Sequence, residues 1–194
     1  MSHQPIIEQR LKDAFELRQS VLENLELRQA VDKAAGLLYL ALRNNRAVHF
    51  CGNGGSAADA QHLAAELSGR YYLNRKPLNA EALHVNTSYL TATANDFGFD
   101  QVYSRLLEAK AKEGDVLVAL STSGNSANVV NAVKQACKQE MVVIGLTGKN
   151  TSQIDEHCHV LIKVPSSDTP RIQEIHILLG HIICEIVEQE MFGV

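Results

Sequence analysis

The sequence predicts an α/β fold, a three-layer αβα sandwich around a five-stranded parallel sheet, with extra helices ahead of it. Three observations carry this. Five short apolar runs rich in β-branched residues recur along the chain, and their nearly continuous hydrophobicity suits strands covered on both faces. Helical patterns separate the runs. Two runs end in glycine- and hydroxyl-rich loops that open a helix, as in a parallel sheet with right-handed crossovers.

In chain order, two long helical patterns come first, roughly Ile6 to Leu27 and Leu27 to Asn44, with apolar positions such as Leu11, Phe15 and Leu22, then Val31, Leu37, Leu38 and Ala41. Lying outside the βαβ core, they bury their stripes on their own sheet or against a partner subunit, so residues 1–45 are the expected oligomerisation segment. The first strand, Ala47 to Cys51, runs into Gly52-Asn53-Gly54-Gly55-Ser56, and the helix beyond carries Asp59, His62 and Glu66. Further strands are expected at Ala80 to Val85, Val116 to Leu120, Val142 to Leu146 and Val160 to Val164; the run ending at Leu120 leads into Ser121-Thr122-Ser123-Gly124-Asn125-Ser126. A last helical pattern extends from about Arg171 to Phe192.

With 194 residues and 45% hydrophobic content, one sizeable core and a single domain over 1–194 are expected. A net charge of -4 and a pI near 6.0 give no global attraction to nucleic acid. No apolar run reaches membrane-spanning length and the N-terminus lacks the apolar core of a signal peptide, so no membrane partner and a cytoplasmic location are expected. The four cysteines form no C-x-x-C pair and read as reduced core residues.

The two loops read as phosphate cradles: glycines let the backbone approach an anion, and a helix N-terminus offers unpaired N–H groups and its positive dipole end. Gly52-x-Gly54-x-x-Ala57 formally satisfies the dinucleotide fingerprint, but the second strand ends at His84, Val85 and Asn86 with no acid, and neither loop has a Walker lysine. Ser121 to Ser126 suits a terminal phosphomonoester; the same residues equally make a polar turn and helix cap. His62 and Glu66, four apart, share a helical face where they bind a metal, work as acid and base, or simply form a surface pair. The last helix brings Arg171, Gln173, Glu174, His176 and His181, the last among Ile177, Leu178, Ile182 and Ile183, where a histidine is a core residue or a catalyst.

Cys-Gly-Asn-Gly-Gly-Ser, the run Gln61-His62-Leu63-Ala64-Ala65-Glu66-Leu67-Ser68-Gly69-Arg70-Tyr71, Asn95-Asp96-Phe97-Gly98, Ser-Thr-Ser-Gly-Asn-Ser and Arg171-Ile172-Gln173-Glu174-Ile175-His176 occur in order along the chain. Together they resemble the phosphoheptose isomerase family. The resemblance implies a flavodoxin-like sugar isomerase (SIS) fold and conversion of sedoheptulose 7-phosphate to D-glycero-D-manno-heptose 7-phosphate, opening ADP- or GDP-heptose synthesis for lipopolysaccharide core. It also implies a cytoplasmic homotetramer, with active sites near subunit interfaces, that binds Zn2+. Matched by motif, Asn53, Gly54, Gly55, Ser56, Ser121, Thr122, Ser123 and Ser126 hold the substrate and its phosphate, and Glu66, Asn95, Asp96 and Gln173 also contact it. Glu66 is then the base and His181 the acid, while His62, Glu66, Gln173 and His181 are the zinc ligands. A carboxylate fully engaged by a cation is a poorer base, so ligation and proton transfer alternate or the metal mainly organises.

Eight residues of regular helix separate Gln173 and His181 by about 12 Å, so the site is expected to be shared between subunits or the helix to be irregular. Asn86 stands where members of the family it resembles commonly carry Asp, Pro170 where some of them do, and Thr147-Gly148-Lys149-Asn150-Thr151-Ser152 lacks a glycine pair often seen there. A non-catalytic SIS-fold binding protein that associates with the replication initiator is the alternative; it would lack the acid–base equipment.

Overall fold

Two helices come first, α1 (Gln4–Glu23) and α2 (Leu25–Arg43), in a computed structural model that describes residues 2–193. They part at Asn24 and not at Leu27, because the Asn24 side chain accepts the Leu27 N–H at 3.0 Å and caps α2. There follow β1 (Val48–Cys51), α3 (Gly55–Ser68), β2 (Ala80–Ala82), α4 (Thr87–Phe97), α5 (Val102–Lys110), β3 (Val116–Leu120), α6 (Ala127–Lys138), β4 (Val142–Thr147), β5 (Val160–Lys163) and α7 (Thr169–Phe192).

The strands pair in parallel in the order β2-β1-β3-β4-β5. β2 stops at Ala82, short of the expected Val85: the Leu83 N–H still donates to the Phe50 carbonyl at 2.9 Å, but the chain then turns into α4, whose first turn the Asn86 side chain caps through the Tyr89 N–H at 3.0 Å. Helical patterns do not separate every pair of strands. Between β4 and β5, residues 148–159 hold only a 3-10 turn, Asp155–His157, pinned where Asp155 meets Lys163 at 2.6 Å and Ser152.

Alternation along β3 divides the core. Val116, Val118 and Leu120 join the cluster formed with α2, α3 and α7, while Leu117 and Ala119 join the one formed with α5 and α6. That gives three layers. The two N-terminal helices differ in what covers them: Val31, Leu38 and Ala41 of α2 are buried on this chain's own core, whereas Leu11, Phe15 and Leu22 of α1 are 68%, 68% and 66% exposed. All four cysteines are free, and Cys51 and Cys184 are buried.

One buried group makes the fold acid-sensitive. His176 of α7, wholly buried, donates from Nε2 to the Thr147 carbonyl at 3.3 Å, which sets its tautomer. Burial pushes the imidazole down to about 4 from 6.5, against the upward pull of that bond. Between those values the unfolded chain binds a proton that the folded chain refuses, so this contribution is complete above pH 6.5 and is lost on acidification. From pH 7 to pH 5 the loss is about 2 kcal/mol. Chemical denaturation at both pH values should show a smaller drop for His176→Gln than for the wild type.

Candidate active site

The two loops lie at the carboxyl ends of adjacent strands, β1 and β3, from which the chain leaves toward opposite sides of the sheet. A crevice at that switch point is where open parallel sheets take ligands. In the first loop Gly54 has φ 55°, a left-handed conformation that glycine adopts freely, and the loop delivers the chain into α3, whose first turn closes as the Ser56 N–H donates to the Asn53 carbonyl at 3.0 Å and the Ala57 N–H to that of Gly54 at 3.1 Å. In the second, the Ser121 and Ser126 hydroxyls meet at 3.3 Å, and the Gly124 N–H donates to Ser121 Oγ at 3.1 Å. Thr122 is half-buried and Ser123 exposed.

The first loop is tied down by Asn128 and Tyr103, which the sequence patterns did not single out. Asn53 and Asn128 exchange side-chain hydrogen bonds, each at 2.8 Å, and the Tyr103 hydroxyl donates to the Gly52 carbonyl at 2.5 Å. The Asn53 amide is thereby committed within the protein, which leaves its backbone for a ligand. Ser56 is buried in the first turn of α3.

Two turns into α3, three side chains converge. His62 Nε2 lies 3.0 Å from Glu66 Oε1 and 3.2 Å from His181 Nε2 of α7, and the three ligand atoms all fall within 4.8 Å of one another. They meet because α3 and α7 pack side by side, Gly180 admitting Leu63 where a Cβ would come within 2.5 Å of it. Burial and the neighbouring His62 push the His181 imidazole down, with Glu66 opposing them. Asp59, one turn before His62, has Oδ2 buried without a partner, and burial pushes its carboxyl up to about 6 against the pull of His62.

The remaining expected residues stand apart from this cluster. α7 is one unbroken helix, so irregularity does not bring Gln173 to His181. The Gln173 side chain lies over Gly55, where an added Cβ would be 2.6 Å from its amide, about 10 Å along α3 from His62. Asn95 and Asp96 are exposed near the end of α4, in the other helical layer, and bond to each other at 2.8 Å.

Residues 13–148 match the SIS domain family. A phosphoheptose isomerase of Rhodospirillum rubrum is 54% identical over 162 residues, 84% of this chain and 86% of that protein. The chain belongs to the phosphoheptose isomerase family. Two solved members share the fold closely. That of Neisseria gonorrhoeae superposes with a TM-score of 0.90 at 42% identity, covering 97% of this chain and 100% of the other. That of Francisella tularensis reaches 0.92 at 32% identity with the same coverage. The Asn86 side chain caps α4, and Pro170 sits in the first turn of α7, where its missing N–H leaves no bond unmade.

Proposed function

We propose that this chain is an aldose–ketose isomerase that converts sedoheptulose 7-phosphate to D-glycero-D-manno-heptose 7-phosphate, opening heptose biosynthesis, and that residues 1–194 act as one SIS unit. The observation that carries the reading is the meeting of His62 and Glu66, on the helix opened by a phosphate-cradle loop, with His181 of α7, in a chain 54% identical to a relative named phosphoheptose isomerase. Nothing comparable favours the binding-protein alternative.

The N–H groups of Asn53, Gly54 and Gly55 and the hydroxyls of Ser56, Ser121, Thr122, Ser123 and Ser126 hold the phosphate; Gln173, Asn95 and Asp96 contact the sugar. Fixing the phosphate sets the register of the chain and places C1 and C2 against Glu66. Glu66 takes a proton from C1 while His181 protonates the carbonyl oxygen on C2, giving an enediol. The proton on Glu66 returns to C2, and the O1 proton passes back to the imidazole, leaving the aldose.

His62, Glu66 and His181 also suit zinc. Two imidazole nitrogens and a carboxylate oxygen are its usual donors, and 3.0 and 3.2 Å approach the spacing of about 3.3 Å between ligands on a tetrahedron with bonds of about 2.0–2.1 Å. When bound, the ion supplies electrostatic stabilisation of the developing oxyanion. For Gln173 to join as a ligand it must come from a neighbouring copy, which fits a homotetramer assembled through α1, whose Leu11, Phe15 and Leu22 are exposed. A cytoplasmic location belongs to the same proposal; no described helix is long and apolar enough to cross a membrane.

Incubating purified protein with sedoheptulose 7-phosphate, with and without a chelator and added zinc, tests the reading. Heptose 7-phosphate should form, a chelator should slow it, and zinc should restore it; sedimentation of the same preparation should give a tetramer. His62→Ala should weaken zinc binding by more than the roughly 10–100-fold typical of residues behind the ligands. A folded oligomer with no turnover under any metal condition would overturn the assignment.

A further inference from the structure

Behind the cluster lies a pair of charges that touches neither loop nor imidazole. Glu188 stands seven residues beyond His181 on α7, and Arg75 comes from the segment between α3 and β2; both side chains are 2% exposed, with Arg75 Nε 2.9 Å from Glu188 Oε1. The Glu188 carboxylate also accepts the backbone N–H groups of Tyr71, Tyr72 and Leu73 at 3.0, 2.6 and 2.8 Å. From its other two nitrogens, Arg75 donates to the carbonyls of Glu66 and Leu67 at 2.8 Å and of Gly69 and Lys76 at 3.0 Å. Burial pushes the Glu188 carboxyl up, but the three N–H groups and the guanidinium outweigh it and hold the group below the usual carboxylate range.

A buried ion pair adds little net stability over apolar packing of the same volume, so its contribution here is geometric. Arg75 caps the last turn of α3, the turn that carries Glu66, with a cation where the helix dipole favours one. Glu188 anchors that cap to α7, the helix that carries His181. The same carboxylate holds Tyr71, whose ring centroid is 5.9 Å from that of His181.

We propose that Arg75 and Glu188 are positioning residues, a strut between α3 and α7 that sets the spacing of Glu66 from His181 and so governs both proton transfer and metal affinity. This rests on Glu66 and His181 being the base and acid.

Glu188→Gln replaces an accepting oxygen with a donor facing other donors, and Arg75→Lys keeps the charge but loses the fork. Val143→Ala, buried on β4 in the core formed with α5 and α6, supplies a loss of stability without a loss of positioning. For each variant, kcat, KM, the pH profile of kcat/KM, and Co2+ binding to metal-free protein by visible absorption are measured. Glu188→Gln and Arg75→Lys should each lower kcat and raise the Co2+ dissociation constant by about 10–100-fold, with KM nearly unchanged and the pH limbs displaced. Val143→Ala should leave all of these near wild type at a similar fall in Tm.

Wild-type kcat and Co2+ affinity in folded Glu188→Gln would overturn the strut. Should that variant not fold, Arg75→Lys decides in the same way. Turnover that survives Glu66→Gln would instead overturn the acid–base reading; an inactive Glu66→Gln beside normal Arg75→Lys and Glu188→Gln would overturn the strut alone.

Discussion

Replacing Glu66 by glutamine is expected to lower kcat for sedoheptulose 7-phosphate by about 10²–10⁴-fold, the contribution of one positioned base. KM should stay within a few-fold, because the loops that hold the phosphate are untouched. Glutamine keeps the volume and still reaches His62, so the substitution removes the basic lone pair with little disturbance of the 3.0 Å contact. The assay belongs at saturating zinc, which separates loss of the base from loss of a ligand. In deuterium oxide, wild-type enzyme should exchange the transferred hydrogen between C1 and C2, and Glu66→Gln should not. His181→Gln should be similarly impaired, and the double variant should be little worse than the poorer single, because acid and base act as a unit. A wild-type rate in Glu66→Gln would remove that carboxylate from proton transfer.

The sequence showed part of that site and concealed part, for reasons visible in single residues. His62 and Glu66 could be paired from their spacing alone, since residues four apart share a helical face. That His181 joins them depends on α3 lying beside α7, a tertiary contact to which local periodicity is blind; only the family resemblance suggested it. Arg75 reads as solvated in Asn74-Arg75-Lys76, and Glu188 as the polar side of Ile186-Val187-Glu188-Gln189, yet both are buried. A charge in a sequence carries no sign of its partner. The strands behave in the same way. β3 runs from Val116 to Leu120 as expected, because Asp115 and Ser121 bound the apolar run, and the Asp115 carboxylate accepts the Ala47 and Lys112 N–H groups there. At β2, hydrophobicity continues to Val85 while pairing does not, since apolar character reports burial and not ladder bonds. In α1 the stripe was plain, but a stripe does not say what covers it.

Gly52→Ala should cripple the enzyme although it adds one methyl group and contacts no proposed catalytic atom. A Cβ at Gly52 would lie 2.6 Å from the Ser56 carbonyl oxygen, 2.7 Å from its carbon and 2.9 Å from its Cβ. These neighbours cannot rotate away, because two of them are backbone of the first turn of α3 and Ser56 is buried. Either the loop shifts or the helix does. Overpacking of this kind costs about 1–3 kcal/mol. The catalytic loss should be larger in proportion, because α3 carries the anion-binding turn at its start and His62 and Glu66 further along, so one displacement moves phosphate, base and metal ligand together. A shift near 1 Å is enough to lower kcat/KM by about 10²-fold. Gly36→Ala supplies the contrast: Gly36 is exposed inside α2 and a Cβ there meets nothing within 4 Å. The same methyl group should then raise stability by about 0.5–1 kcal/mol, the propensity of alanine over glycine in a helix, with activity unchanged. Denaturation and steady-state kinetics on the two variants would establish whether close approach at the β1–α3 turn makes the phosphate cradle. Wild-type kcat/KM in Gly52→Ala would show that the turn tolerates a side chain and that the cradle does not depend on it.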